Sequence, residues 1–106
     1  MEENNKLIAE FMGNIIRDNI VYFPMLQECT IDELEYHTSW KWLMAVVEEI
    51  NTMDDFNYSV SINYHYTSIT DNNTLYDIVD VCVDGDTKDA TYRAVVQFIK
   101  WYNTNK

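Results

Sequence analysis

Between Phe56 and Thr67 the chain alternates between two kinds of residue. Phe56, Tyr58, Val60, Ile62, Tyr64 and Tyr66 share one parity; Asn57, Ser59, Ser61, Asn63, His65 and Thr67 share the other. Only an extended strand sends successive side chains to opposite faces, so the run predicts a strand with one apolar and one polar face. A wet face argues for an antiparallel sheet, because parallel strands are usually covered on both sides. The turn-forming run Thr70-Asp-Asn-Asn-Thr74 follows, and then Leu75 to Val83, rich in Ile and Val. The two segments are expected to pair as a hairpin.

The rest of the chain changes period. From Glu2 to Ile16, the residues Leu7, Ile8, Phe11, Met12, Ile15 and Ile16 recur at helical spacing, and Gly13 is placed to end that helix early. Tyr36 to Asn51 reads as the clearest helix, capped by Thr38 or Ser39, with Trp40, Leu43, Met44, Val47 and Ile50 as its apolar stripe. A last helix starts at Asp86 or Thr87 and runs to about Asn103, with Thr91, Ala94, Val95, Phe98 and Tyr102 inward and Trp101 at the margin. Asn19 to Pro24 reads as a short strand at a sheet edge, and Thr30-Ile-Asp-Glu33 has the pattern of a capping box. The expected fold is α+β: a small antiparallel sheet, made of a hairpin plus a short strand, with about three helices packed on one face.

The chain's 106 residues fit one domain spanning 1–106, long enough to bury a core without disulfides or metal. Two glycines and one proline leave little for a linker, and there is no internal repeat. The N-terminus lacks a basic region followed by an apolar run, and no apolar stretch approaches the roughly 20 residues of a membrane span, so the expected setting is the cytosol, away from membranes. Cys29 and Cys82 stand alone without CxxC spacing and fit a reduced protein.

Net charge of −11, from 18 acids against 7 bases, disfavours direct nucleic-acid binding, which needs a basic footprint. It fits either plain solubility or a carboxylate surface offered to a basic protein partner, including a nucleic-acid-binding one. The acids Asp77, Asp80, Asp84, Asp86 and Asp89 invite a calcium loop, yet counting from Asp84 puts Lys88 at position five, Asp89 at six and Val95 at twelve, and the pattern fails. An acidic turn opening a helix is the ordinary reading. Two His and two Cys are too scattered for zinc, so no metal and no cofactor are expected. Neither a phosphate loop nor a nucleophile elbow occurs.

His37 would need a nucleophile and an orienting carboxylate to act as a base; its ordinary role is at a helix entry, and His65 on the polar strand face has still less claim. Trp40 and Trp42 lie about 200° apart on a helix. Trp40 keeps the apolar register, so Trp42 is expected to face solvent, a covering loop or a partner. The many aromatics could line a small-molecule pocket, though aromatic strand residues are ordinary sheet packing.

Two stretches, Tyr36-His-Thr-Ser-Trp-Lys-Trp-Leu-Met-Ala-Val-Val-Glu-Glu-Ile50 and Thr91-Tyr-Arg-Ala-Val-Val-Gln-Phe-Ile-Lys-Trp-Tyr-Asn103, resemble segments of small bacteriophage and Bacteroidetes-type proteins with no known activity, as does Asn5-Lys-Leu-Ile-Ala-Glu-Phe-Met-Gly13. The chain departs from that pattern at Lys41 and Ala45, where the relatives carry Asp and Pro. The resemblance implies a phage or prophage setting and carries no functional residues. The expected function is a noncatalytic acidic binding protein that occludes a host protein, with Tyr36, His37, Trp42, Asp84, Asp86 and Asp89 as contact residues. The alternatives are a nucleotide-like small-molecule sponge, using Arg17, Lys41, Lys88 or Arg93, and a homo-oligomeric accessory protein, for instance a homodimer; an enzyme built on His37 or His65 is a further class.

Overall fold

The computed structural model describes residues 2–18, 20–22, 28–64, 66–83 and 86–105. Helix α1 is Glu2–Phe11; strands β1, β2 and β3 are Ile15–Arg17, Ile20–Tyr22 and Glu28–Thr30; a 3-10 turn follows at Ile31–Glu33. Helix α2 is Trp40–Phe56, strands β4, β5 and β6 are Tyr58–Ile62, Tyr66–Asp71 and Asp77–Cys82, and helix α3 is Thr87–Asn105. The fold is α+β, with two three-stranded antiparallel sheets in the orders β1-β2-β3 and β4-β5-β6.

Gly13 ends α1 as its backbone freedom allows. It takes φ 88°, its N–H donates to Glu10 O across 3.0 Å, and the Asn14 N–H donates to Ala9 O across 3.0 Å. That pair of bonds is the Schellman motif, which satisfies carbonyls the helix end would otherwise leave open. Ile15 and Ile16, in phase with the α1 stripe, therefore enter β1 instead of the helix. The short strand expected at 19–24 is β2, but it lies at the centre of its own small sheet; Pro24 lies outside the described residues. The capping box forms at Thr30: the Glu33 carboxylate accepts from the Thr30 N–H at 3.1 Å and from its hydroxyl at 2.9 Å.

The single strand expected from Phe56 to Thr67 is in fact two. The chain reverses after Ile62, where the Asn63 N–H donates to Tyr66 O at 2.8 Å, and β5 pairs back with Ile62 opposite Thr67. Parity flips across the reversal. Tyr58 faces the core with Val60 and Ile62 on its side, whereas in β5 Thr67 and Ile69 are fully buried, with Ser68 between them nearly so, and Tyr64 and Tyr66 are exposed. Alternation survives the turn because Asn63 suits both a wet strand face and a turn. The hairpin expected between 56–67 and 75–83 is formed by β5 and β6, but β5 takes only Tyr66 and Thr67 from the first segment and runs on through Thr70 and Asp71 of the expected turn, while β6 starts at Asp77, leaving Leu75 and Tyr76 outside it.

Helix α3 is the centre of the domain. It lies on β5 and β6 and carries α1 against its other side, while α2 flanks β4 and touches α3. Eight of its residues are buried, including Thr91, Tyr92, Val95, Phe98 and Ile99, and between Thr87 and Trp101 only Arg93, Gln97 and Lys100 are exposed. The sheet-facing side includes Thr91, whose hydroxyl donates to Thr87 O at 2.8 Å and meets the buried Thr67 hydroxyl at 3.0 Å, so a polar residue in the stripe is fully bonded. At the edge of the sheet, Asn51 Oδ1 of α2 accepts the Val60 N–H at 2.8 Å, which closes part of β4 to further pairing.

The stripe of α2 also differs from expectation. Leu43, Val46, Val47 and Ile50 are buried, while Trp40 and Met44 are exposed. The stripe is centred one position away from the expected one, so that Trp40 and Trp42 flank it on opposite sides. Among the described residues no helix is long and apolar enough to cross a membrane.

Candidate functional site

The turn at 36–39 brings several of the expected contact residues together, but mostly inward. Tyr36 is buried, and Trp42 is half-buried with its ring edge-on to Tyr36 at a centroid distance of 5.1 Å. Trp40, expected to pack, is instead exposed, and of the alternatives for Trp42 the covered one holds: Tyr36, just ahead of the helix, supplies it with an aromatic partner. Burial, with a smaller contribution from Cys29, pushes the Tyr36 hydroxyl up to about 12. Burial also raises Cys29 itself, helped by Glu33 and Asp32; Cys29 and the exposed Cys82 are both free thiols.

His37 meets α1 and α3. Its Nδ1 lies 2.9 Å from Asn5 Nδ2, and its ring stands 6.2 Å from that of Tyr92. Tyr92 Oη donates to Asn5 Oδ1 at 2.9 Å, and burial, then the nearby Asp89, raises the Tyr92 hydroxyl. The partners of His37 are thus an amide and an aromatic ring, an arrangement that locks three chain segments together. Asn5 is the residue the sequence does not reveal here: an amide in the first turns of a helix is normally read as solvent-facing.

The acids of the last turn have local duties. Asp86 Oδ1 accepts the Asp89 N–H at 2.9 Å, which makes Asp86 the N-cap of α3. Asp89 pairs with Arg93 at 2.9 Å, one helical turn on. Lys88 Nζ donates to Thr38 O at 3.0 Å, so Tyr36, His37, Asp86 and Asp89 share one end of the molecule. Asp84 and His65 lie outside the described residues.

A second surface is assembled where α2 ends. Met53 leaves the helix with ψ 159°, and Asp54, Asp55 and Phe56 then take left-handed φ of 50°, 58° and 61°. The β5–β6 turn docks onto this bend. Asn72 donates through Nδ2 to Phe56 O at 2.9 Å and through its backbone N–H to Asn57 O at 2.8 Å, its Oδ1 accepts the Ser59 hydroxyl, and Asn73 Nδ2 bonds Asn57 Oδ1. Leu75, in the docked turn, is also left-handed at φ 65°. Phe56, on the bend, and Leu75 and Tyr76, in the turn docked to it, are 68%, 77% and 78% exposed, with the exposed Asp54, Asp55 and Asp77 next to them in the chain.

A positive φ is a steric outlier for a residue as bulky as Phe or Leu, and sites that keep such strain are enriched in functional segments. The sequence pattern puts Phe56 and Leu75 at strand starts. One signal was available: Leu75 and Tyr76 are adjacent, and a strand with one buried face cannot bury both.

Two cavities flank α2. One, of about 560 Å³, is lined by Lys41, Met44, Ala45, Val47, Glu48 and Asn51. The other, of about 600 Å³, lies among the ends of α1, α2 and α3. Among the described residues no group of three His, Cys, Asp or Glu side chains is placed to hold a metal ion. No protein-family model, curated protein or solved structure matches this chain.

Proposed function

We propose that this chain is a noncatalytic binding protein that engages a basic segment of a partner protein through the surface formed by Phe56, Leu75 and Tyr76. One observation carries the reading: two bulky apolar residues, Phe56 and Leu75, are held both exposed and left-handed, which stability alone disfavours twice over. Contiguous exposed apolar residues rimmed by polar ones mark interaction surfaces. The rim here is Asp54, Asp55 and Asp77, on a chain of net charge −11, so a cationic partner is attracted and a second copy of the chain is repelled. The resemblance to phage proteins makes a host protein the natural partner class.

The sponge reading is less well supported. Of Arg17, Lys41, Lys88 and Arg93, Lys41 alone lines either cavity, Lys88 is bonded to Thr38 O and Arg93 to Asp89. A phosphorylated ligand needs several such groups in one place.

The test is a pull-down from host lysate, with wild type beside a Phe56→Ser/Leu75→Ser/Tyr76→Ser variant whose folding is checked by circular dichroism. The reading expects a stoichiometric basic protein on the wild type, released by moderate salt and absent from the variant. Equal capture by the folded variant, or capture that ignores salt, would sink it.

A further inference from the structure

The larger cavity, of about 600 Å³, has the size of a small-ligand site. Its walls combine two features that favour the same kind of ligand. The first is aromatic. Phe11 and Tyr102 line it, and behind them Phe98 packs edge-on to Phe11 and stacked with Tyr102, at centroid distances of 6.4 and 5.8 Å. The Tyr102 hydroxyl donates to Asp54 Oδ2 at 3.0 Å, which fixes the ring and, with burial as the larger cause, raises the hydroxyl above its ordinary range. Aromatic faces attract cations through the ring quadrupole.

The second feature is electrostatic. Phe11 is the last residue of α1, Met53 is where α2 stops being helical, and Tyr102 lies in the final turns of α3, so three helix C-termini border one cavity. Each presents the negative end of its macrodipole, partly offset at α1 by the Gly13 and Asn14 N–H groups, and none of the three has a basic residue in its last turn. Glu10 and Glu49 add carboxylates to the lining, and neither has a basic partner among the described residues.

We propose that this cavity binds an alkylammonium group, with Glu10 and Glu49 taking the charge and Phe11, Tyr102 and Met53 taking the alkyl body. A phosphate or carboxylate ligand is repelled there. A hard divalent ion takes six or more oxygen ligands, and the cavity lining offers two carboxylates. The ammonium can come from a free amine or from a lysine side chain of a protein, and the site itself does not depend on the proposed protein partner.

The experiment is a titration of the intact chain followed by NMR, using 1,5-diaminopentane, tetramethylammonium, an acetylated and amidated lysine peptide, and potassium chloride as the ionic control. The expected result is saturable shifts at Phe11, Met53 and Tyr102 with a Kd below about 1 mM for an amine and none for potassium. Glu49→Gln, an exposed position whose change leaves the core intact, should weaken that binding at least about tenfold. Tighter binding of the peptide than of the diamine assigns the site to a protein lysine, and the reverse to a free amine. Shifts that match potassium chloride, or an affinity unchanged in both Glu49→Gln and Glu10→Gln, would overturn the proposal. Loss of amine binding with intact partner capture, or the reverse, separates this site from the Phe56 surface.

Discussion

Tyr92 Oη donates to Asn5 Oδ1 across 2.9 Å inside the core, joining residues 87 positions apart. Asn5 is almost fully buried, and its amide nitrogen also donates to Leu34 O at 3.4 Å and faces His37 Nδ1 at 2.9 Å. Substituting Asn5 by Leu strips two buried groups, the Tyr92 hydroxyl and Leu34 O, and the half-buried His37 Nδ1 of a partner at once, and each buried unpaired group costs about 1–3 kcal/mol. Asn5→Leu is expected to lower stability by about 3 kcal/mol, a large share of a small domain's total. Tyr92→Phe should cost about 1 kcal/mol. In the double variant the two effects should sum to less than their separate values, because both remove the same bond. Urea denaturation of the four proteins measures this, and strict additivity would show that the bond contributes nothing.

The same network fixes a proton. Leu34 O can only accept, and Asn5 Oδ1 is taken by the Tyr92 hydroxyl, so the Asn5 amide nitrogen must point at His37. His37 Nδ1 is then an acceptor, and the neutral ring carries its hydrogen on Nε2. Nitrogen-detected NMR at a pH where the ring is neutral should find Nδ1 unprotonated. Asn5→Asp replaces the donor with an acceptor and should move the hydrogen to Nδ1. An Nδ1–H in the wild type would mean that the Asn5 amide is turned the other way.

Much of the fold was legible because its signals are local. The Asp86 cap, the Gly13 stop and the Thr30–Glu33 box each depend on residues within one turn of the chain, and each formed as read. What was not legible depends on distant partners. Parity could not reveal the reversal after Ile62, since the phase of β5 is set by α3, through Thr91 meeting Thr67. Trp42 is drawn inward by Tyr36, a contact from outside the helix. The candidate site was least visible of all: the exposure of Phe56 comes from three left-handed residues that Asn72 and Asn73 hold in place from 16 positions away.

If the left-handed backbone at Leu75 is strained for the sake of a contact, relieving it should separate stability from binding. Glycine takes that φ freely, while a residue with a Cβ is strained there by about 1–2 kcal/mol. Against this stands the greater entropy glycine loses on folding, roughly 0.5–1 kcal/mol. Leu75 is too exposed for its side chain to offset the difference. Leu75→Gly is therefore expected to leave the thermal midpoint unchanged or raise it by a few degrees, the equivalent of up to about 1 kcal/mol, while weakening partner capture. Calorimetry beside the pull-down reads both. A clearly lowered midpoint would mean that Leu75 packs for stability, and the functional reading of its strain would go.

Alkaline pH should weaken the fold through Tyr36. Its hydroxyl ionises near 10 in an unfolded chain and is held up to about 12 in the folded one, chiefly because burial disfavours the phenolate. Below pH 10 both states keep the proton and the full stability is present. Between 10 and 12 the unfolded chain releases its proton while the folded one retains it, so the unfolded state binds fewer protons and stability falls as pH rises. Tyr92 and Tyr102 shift in the same direction and add to the slope. Thermal midpoints recorded from neutral pH to 12 should decline through that window, and tyrosinate absorbance should rise with unfolding. Tyr36→Phe has no proton to lose at that position. Its midpoint should start lower, through loosened packing against Trp42, and then decline less steeply than the wild type's; parallel declines would place the alkaline sensitivity elsewhere.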